Sequence, residues 1–131
     1  MNRLGSALFV LILMSGCAVS SAQTAPSPAE VIVHMITDGS TFRYEPADIT
    51  IKIGTTVKWV NDSTNRHTAT DDPNLEKKTG EAEMPKGAEP WTSPFLTNGE
   101  SFSQTFKVAG RYRYFCRNHG QFGMEGTIIV E

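Results

Sequence analysis

Cys116, His119 and Met124 lie close together in the run Tyr112 to Val130, spaced Cys-x2-His-x4-Met. A thiolate, an imidazole and a thioether together suit a soft, redox-active metal. Two imidazoles and one thiolate in a plane, with a weak axial thioether, is the arrangement of copper electron-transfer sites. The loop supplies only one imidazole, so the second must come from elsewhere in the chain. His67 is the candidate; His34 is the rival, but it lies in the middle of an apolar run of strand length, Val31 to Ile36. Taken singly, each residue has an ordinary reading: a small buried cysteine, a solvated histidine, a core methionine. Together within one short loop that also holds Gly120, Gly123 and Gly126, they describe a segment able to fold its donors onto one point.

The cysteine count points the same way. The chain has two cysteines, Cys17 and Cys116. Residues 1–22 have a short polar start with one arginine, an apolar run from Leu8 to Met14, and then small residues, the pattern of an export signal too short to span a bilayer. Two exits are open. Cleavage after Ala22, with Ser20 and Ala22 as the small residues, would release a free protein. Leu13-Met14-Ser15-Gly16-Cys17 resembles a lipoprotein box with Met14 where leucine is usual, and would leave a lipid anchor on Cys17. On either route Cys116 becomes a lone thiol in an oxidising compartment, where a metal bond would occupy it.

The remaining elements read as a scaffold for the loop. Residues 23–30 are rich in proline and alanine and read as a flexible linker, followed by one domain over residues 31–131. Ile49, Ile51 and Ile53 alternate with polar residues, as do Val57 and Trp59, and Tyr112, Tyr114 and Cys116 share one side of a later run. Thr37 to Ser40, Gly54-Thr55 and Thr97 to Glu100 are turn clusters. Short alternating strands without helical periodicity predict an all-β, Greek-key β-sandwich. Phe42, Trp59, Phe106, Tyr112 and Tyr114 are the expected aromatic core. Ala69 to Pro90 is irregular, with six acidic residues and three lysines, and reads as a loop with one short helical turn. Its carboxylates suggest a docking surface for a basic partner; a merely solvated loop is the equal alternative. The net charge of −2, or −3 once Arg3 leaves with the leader, gives no basis for binding nucleic acid.

Ile49-x-Ile51-x-x-Gly54-x-Thr56-Val57-x-Trp59-x-Asn61 leading to His67-Thr68, followed by Gly110-x-Tyr112-x-Tyr114-Phe115-Cys116-x-x-His119-x4-Met124-x-Gly126, resembles the cupredoxins. Within them the ligand-loop spacing resembles plastocyanins and pseudoazurins. The single strand after Met124 points to a plastocyanin-like chain. The resemblance implies one copper ion cycling between Cu(I) and Cu(II), with His67, Cys116 and His119 in the plane and Met124 axial. It implies that Thr68 and Asn61 support the ligands from behind. It places the electron-transfer surface at His119, with Gly120 and Phe122 in an apolar patch and Phe115 as an outward aromatic offering a second route. The implied function is a monomeric one-electron carrier outside the cytoplasm, in the periplasm or at a membrane, serving c-type cytochromes or a membrane or periplasmic oxidoreductase. Copper delivery is the alternative. An enzyme is disfavoured. Multicopper oxidases place histidines beside the ligand cysteine, where this chain has Phe115 and Arg117, and only three histidines exist in all. A Cys–His nucleophile would leave Met124 unexplained.

Overall fold

The alternation of buried and exposed side chains sorts the strands. Our computed structural model describes residues 27–131, so the proposed export signal and the first half of the linker lie outside the described residues. Seven strands form: β1 Glu30–Asp38, β2 Thr41–Glu45, β3 Asp48–Ile51, β4 Thr56–Asn61, β5 Ser101–Thr105, β6 Gly110–Phe115 and β7 Glu125–Val130. They make a four-stranded sheet of order β2-β1-β4-β5 and a three-stranded sheet of order β3-β7-β6. The all-β sandwich expected from the sequence is therefore what the chain forms. Both sheets are mixed, with β1 parallel to β4 and β3 parallel to β7.

The inward faces supply one core. Val33 and Met35 of β1, Val57 and Trp59 of β4, Tyr112 and Tyr114 of β6, and Ile128 and Val130 of β7 are all buried. Trp59 is its hub, with ring centroids 4.8 Å from Trp91, 5.4 Å from Tyr114 and 6.5 Å from Phe106. Such offset and edge-on aromatic contacts add to the burial term. Phe42 sits at the edge of the expected core. It is partly buried, packs against the cluster and also faces the histidines.

Two boundaries differ from the sequence reading, and both bear on function. β1 continues through Thr37 and Asp38, because Thr37 pairs with Phe42 and Asp38 with Thr41 across a two-residue turn. The turn composition of Thr37 to Ser40 had placed these residues outside the strand. Ile53 lies beyond β3 and is exposed. The irregular segment contains one short 3-10 turn, Pro73–Leu75, opened by Asp72, whose side chain accepts from the Asn74 N–H at 2.9 Å.

β4 and β6 belong to opposite sheets and set up the site. The chain leaving β4 crosses onto the end of β6, where Thr70 and Phe115 exchange backbone hydrogen bonds of 3.1 and 2.9 Å. The same crossing segment pairs with residues 91–96 through Thr70–Thr92 and His67–Leu96 bridges. Two loops distant in sequence are thereby locked at one end of the sandwich.

Candidate metal centre

His67 is held before any metal is considered. Asn61, buried at the end of β4, donates from Nδ2 to the carbonyls of Asn65 (2.7 Å) and Leu96 (2.8 Å), and its Oδ1 accepts from the Ser63 N–H. Asn61 therefore fixes the loop that carries His67 without touching the histidine ring. His67 itself exchanges backbone hydrogen bonds with Leu96, at 3.1 and 2.8 Å. Its Nε2 lies 3.0 Å from Thr37 Oγ1. With the ring proton on Nε2 donated to that hydroxyl, Nδ1 keeps a lone pair, the form a metal ligand requires.

The second loop folds back on itself. The Cys116 carbonyl accepts from the His119 and Gly120 N–H groups, at 3.1 and 2.7 Å, and Gly120–Phe122 form a 3-10 turn. Gly123 closes that turn at φ 89°, a left-handed conformation that glycine adopts without a Cβ penalty. The chain then returns so that Cys116 N–H donates to the Met124 carbonyl at 3.0 Å. Of the three glycines in the loop, only Gly123 serves by its dihedral angle. Gly120 and Gly126 serve by lacking a side chain. A Cβ on Gly120 would stand 2.6 Å from Glu81 Oε1, and one on Gly126 would stand 2.6 Å from Tyr114 Cε1.

The donors converge. His67 Nδ1 and His119 Nδ1 are 3.1 Å apart, and Cys116 Sγ lies 3.8 and 3.6 Å from them. One first-row metal ion can reach all three corners of a triangle this size at bond lengths of about 2.0–2.3 Å. Cys116 and Met124 are fully buried, and His67 is as well. Burial, and after it the neighbouring His119, lowers the His67 pKa to about 4; burial, and then the charge of Lys77, also lowers His119. Both imidazoles are therefore neutral near pH 7, with lone pairs free. One thiolate, two neutral imidazoles and a buried thioether in the loop fit copper, and the triangle fits one ion.

Thr68 supports the thiolate. Its N–H donates to Cys116 Sγ at 3.4 Å, and its hydroxyl accepts from the Arg117 N–H at 2.9 Å, tying the two loops together. Thr37 was missed by the sequence reading because it was assigned to a turn. The signal that would have found it is a hydroxyl residue on the strand running parallel to β4, level with the chain leading to His67. Phe42, at the edge of the core, also stacks on His119, centroids 3.9 Å apart and planes 12° from parallel. The ring of His119 is thus held from one side by an aromatic face.

Two expected surface residues are not on the surface. Phe115 is 1% exposed, because the segment after His67 pairs across it at Thr70. It offers no outward route for an electron. Gly120 is buried under Glu81. Phe122, in contrast, is 64% exposed and lies against Phe42, centroids 6.1 Å apart. His34 is exposed on β1 and paired with Asp62, away from the donor triangle.

The acidic segment is built inward. Asp71 is buried and accepts from the Trp91 N–H at 2.8 Å. Glu81 is buried and accepts from the Lys77 and Lys78 N–H groups, and Glu76 accepts from that of Ala82. With Asp72 at the 3-10 turn, three of the six carboxylates hold the segment's own backbone and Asp71 holds that of Trp91 just beyond it, leaving Glu83 and Glu89 exposed. Asp71 and Glu81 are thus buried structural groups, Asp72 and Glu76 are half-buried, and Glu83 and Glu89 face solvent.

Residues 31–131 match the family of copper binding proteins described as the plastocyanin/azurin family. The chain is 39% identical to a plastocyanin of Scenedesmus fuscus over 106 residues, 78% of this chain and all of that one. It is 33% identical to an amicyanin of Paracoccus versutus, over 82% of this chain and 70% of that one. A pseudoazurin structure from Sinorhizobium meliloti superposes with a TM-score of 0.62 at 29% identity, covering 79% of this chain and 74% of that one. A sandwich of this topology, a Cys–His–His triangle sized for one ion and a match across the whole domain agree. The chain belongs to the copper-binding plastocyanin/azurin family of cupredoxins.

Proposed function

We propose that this blue copper electron carrier works outside the cytoplasm, passing single electrons between redox proteins such as c-type cytochromes and a membrane or periplasmic oxidoreductase. His67, Cys116, His119 and Met124 hold its one copper ion, which supplies a Cu(I)/Cu(II) couple when bound. The convergence of two Nδ1 atoms and one Sγ, all within 4.8 Å of one another, carries this reading.

The chain's own residues supply rigidity and access. Thr37 and Phe42 fix the two imidazole rings, Thr68 fixes the thiolate, and the aromatic hub around Trp59 keeps the loops from shifting. Ligands that do not move between oxidation states keep electron exchange fast. His119 is the least buried of the three convergent donors and sits beside exposed Phe122, so it is the point of electron entry and exit. The apolar leader, and Cys116 as the one free cysteine among the described residues, support export. A lipid anchor at Cys17 would tether the carrier to a membrane face, and mass spectrometry of the mature N-terminus decides between tethered and free forms.

The test is repeated redox cycling of the copper-loaded protein with a c-type cytochrome. A carrier completes many cycles with its copper retained, and Cys116→Ser abolishes both the blue absorption and the cycling. Release of copper on each reduction, with slow electron exchange, would instead show a delivery protein.

A further inference from the structure

Glu81 stands against the loop that carries His119. A Cβ on Gly120 would meet Glu81 Oε1 at 2.6 Å and the Phe115 ring at 3.1 Å, so the carboxylate lies on the backbone of the residue that follows His119. Its side chain is fully buried. Oε2 accepts from the Lys77 and Lys78 N–H groups, at 2.9 and 3.0 Å. Oε1, the oxygen against the loop, is buried and meets no protein donor. Lys77 and Lys78 are themselves exposed, so water could serve their N–H groups. Burying a carboxylate with one bare oxygen is therefore a cost that the local fold does not require.

The placement is fixed from β6. Glu83 and Arg113 exchange backbone hydrogen bonds of 3.1 and 2.9 Å, and the Arg113 guanidinium donates to the Gly80 carbonyl. The Lys78 ammonium is taken by Glu125. Among the described residues, no lysine or arginine lies within ion-pair distance of Glu81. Glu125 is the contrast. It is one residue from Met124, but its two oxygens are paired with Lys78 and Arg113, which cancel much of its field. Water screens an exposed carboxylate, whereas a buried one without a counter-charge keeps most of its field. A fixed negative charge stabilises a dipositive ion more than a monopositive one.

Resting on the electron-carrier reading, we propose that Glu81 sets the reduction potential of the metal centre, its buried carboxylate behind Gly120 favouring the oxidised state and holding the potential down. It acts through space and not as a ligand. The couple takes up one electron, and no bond is made or broken at Glu81.

Redox titration of the copper-loaded protein against hexacyanoferrate tests this. One electron passes from Cu(I) to hexacyanoferrate(III), giving Cu(II) and hexacyanoferrate(II). Glu81→Gln keeps an acceptor for the two N–H groups and removes the charge. It should shift this equilibrium toward Cu(I) by roughly three- to tenfold, a rise of about 30–60 mV for one electron, with the blue band retained. The rise should persist at high salt, because a buried charge is little screened. Glu81→Asp keeps the charge and should raise the potential less. Glu83→Gln, exposed on the same segment, should leave it unchanged. Chelator competition supplies a second reading. Glu81→Gln should weaken Cu(II) binding more than Cu(I) binding, by a ratio equal to the shift in the redox equilibrium. An unchanged potential in Glu81→Gln would overturn the proposal. So would an equal rise in Glu81→Asp or Glu83→Gln, or loss of the blue band in Glu81→Gln, since each would mark Glu81 as a structural group only. A wild-type protein that does not turn blue with copper would instead overturn the electron-carrier reading, and the spectrum shows this before any titration.

Discussion

Thr37 holds His67 through a single hydrogen bond from the outer ring nitrogen, 3.0 Å long. Partners of this kind fix both tautomer and ring orientation, and their loss costs metal affinity. Thr37→Val keeps the shape and removes the acceptor. It should weaken copper affinity by roughly tenfold, measured by competition with a chelator, with the fold unchanged. An affinity equal to wild type would show that the backbone alone orients His67. His34→Ala should leave the blue absorption intact, because His34 is exposed and paired with Asp62 away from the donors. The ligand residues were legible in the sequence because three donor types crowd into one loop, a coincidence that chance seldom supplies. Thr37, Phe42 and Phe115 were not legible in their roles. Whether such a side chain faces a ring, a core or solvent depends on which segment crosses it, and the crossing of residues 67–70 over Phe115 joins positions far apart in sequence.

The elements around the site leave little free space. Gly126 in β7 faces Tyr114, whose ring is fully buried and wedged against Tyr44 and Trp59, centroids 4.6 and 5.4 Å away. A ring so enclosed cannot yield to an added methyl group, so Gly126→Ala should destabilise the protein by about 2–3 kcal/mol in denaturant unfolding. Gly123→Ala meets no neighbouring atom but must hold φ 89°, and should cost only about 1 kcal/mol. Equal losses at the two positions would contradict this division of roles. The acidic segment makes a separate prediction. Burial raises the Asp71 pKa to about 7, against a weaker opposing pull from its hydrogen bond with Trp91. The folded state therefore holds this proton more tightly than the unfolded chain, where the value is about 4. The resulting stability is fully present below about pH 4 and is lost as pH rises through about 7. Asp71→Asn keeps an acceptor for the Trp91 N–H and removes the charge. It should stabilise the protein by ~2 kcal/mol at pH 8 and have little effect near pH 4, read from melts across pH. Strand identity in this chain was legible from alternation. The inward turn of the carboxylates was not, because acidic residues in an irregular stretch read as solvated unless their backbone partners are known.

At the scale of the whole molecule, the sandwich and the metal are separable. The core centred on Trp59 and Trp91 is complete without an ion, and the β4 and β6 ends are tied by backbone hydrogen bonds at Thr70 and Phe115. Chelation of the copper should leave the strand signature in circular dichroism and a cooperative melt at lower temperature, with copper restoring the stability by mass action. Collapse on chelation would mean that the ion, and not the aromatic core, organises the two loops. The sandwich was legible because its pattern repeats along every strand. The approach of Arg66 and Arg117 to the Phe95 ring was not, because it depends on two loops coming together. The central claim is that these loops form one preorganised site from His67, Cys116, His119 and Met124. Its most direct test is the visible and electron paramagnetic resonance spectrum after one equivalent of copper(II) is added to the metal-free protein. An intense blue thiolate-to-copper band, with the narrow copper hyperfine splitting of a strongly covalent thiolate bond, is expected, rising to one copper per chain. A colourless protein, or a spectrum unchanged by Cys116→Ser, would contradict it.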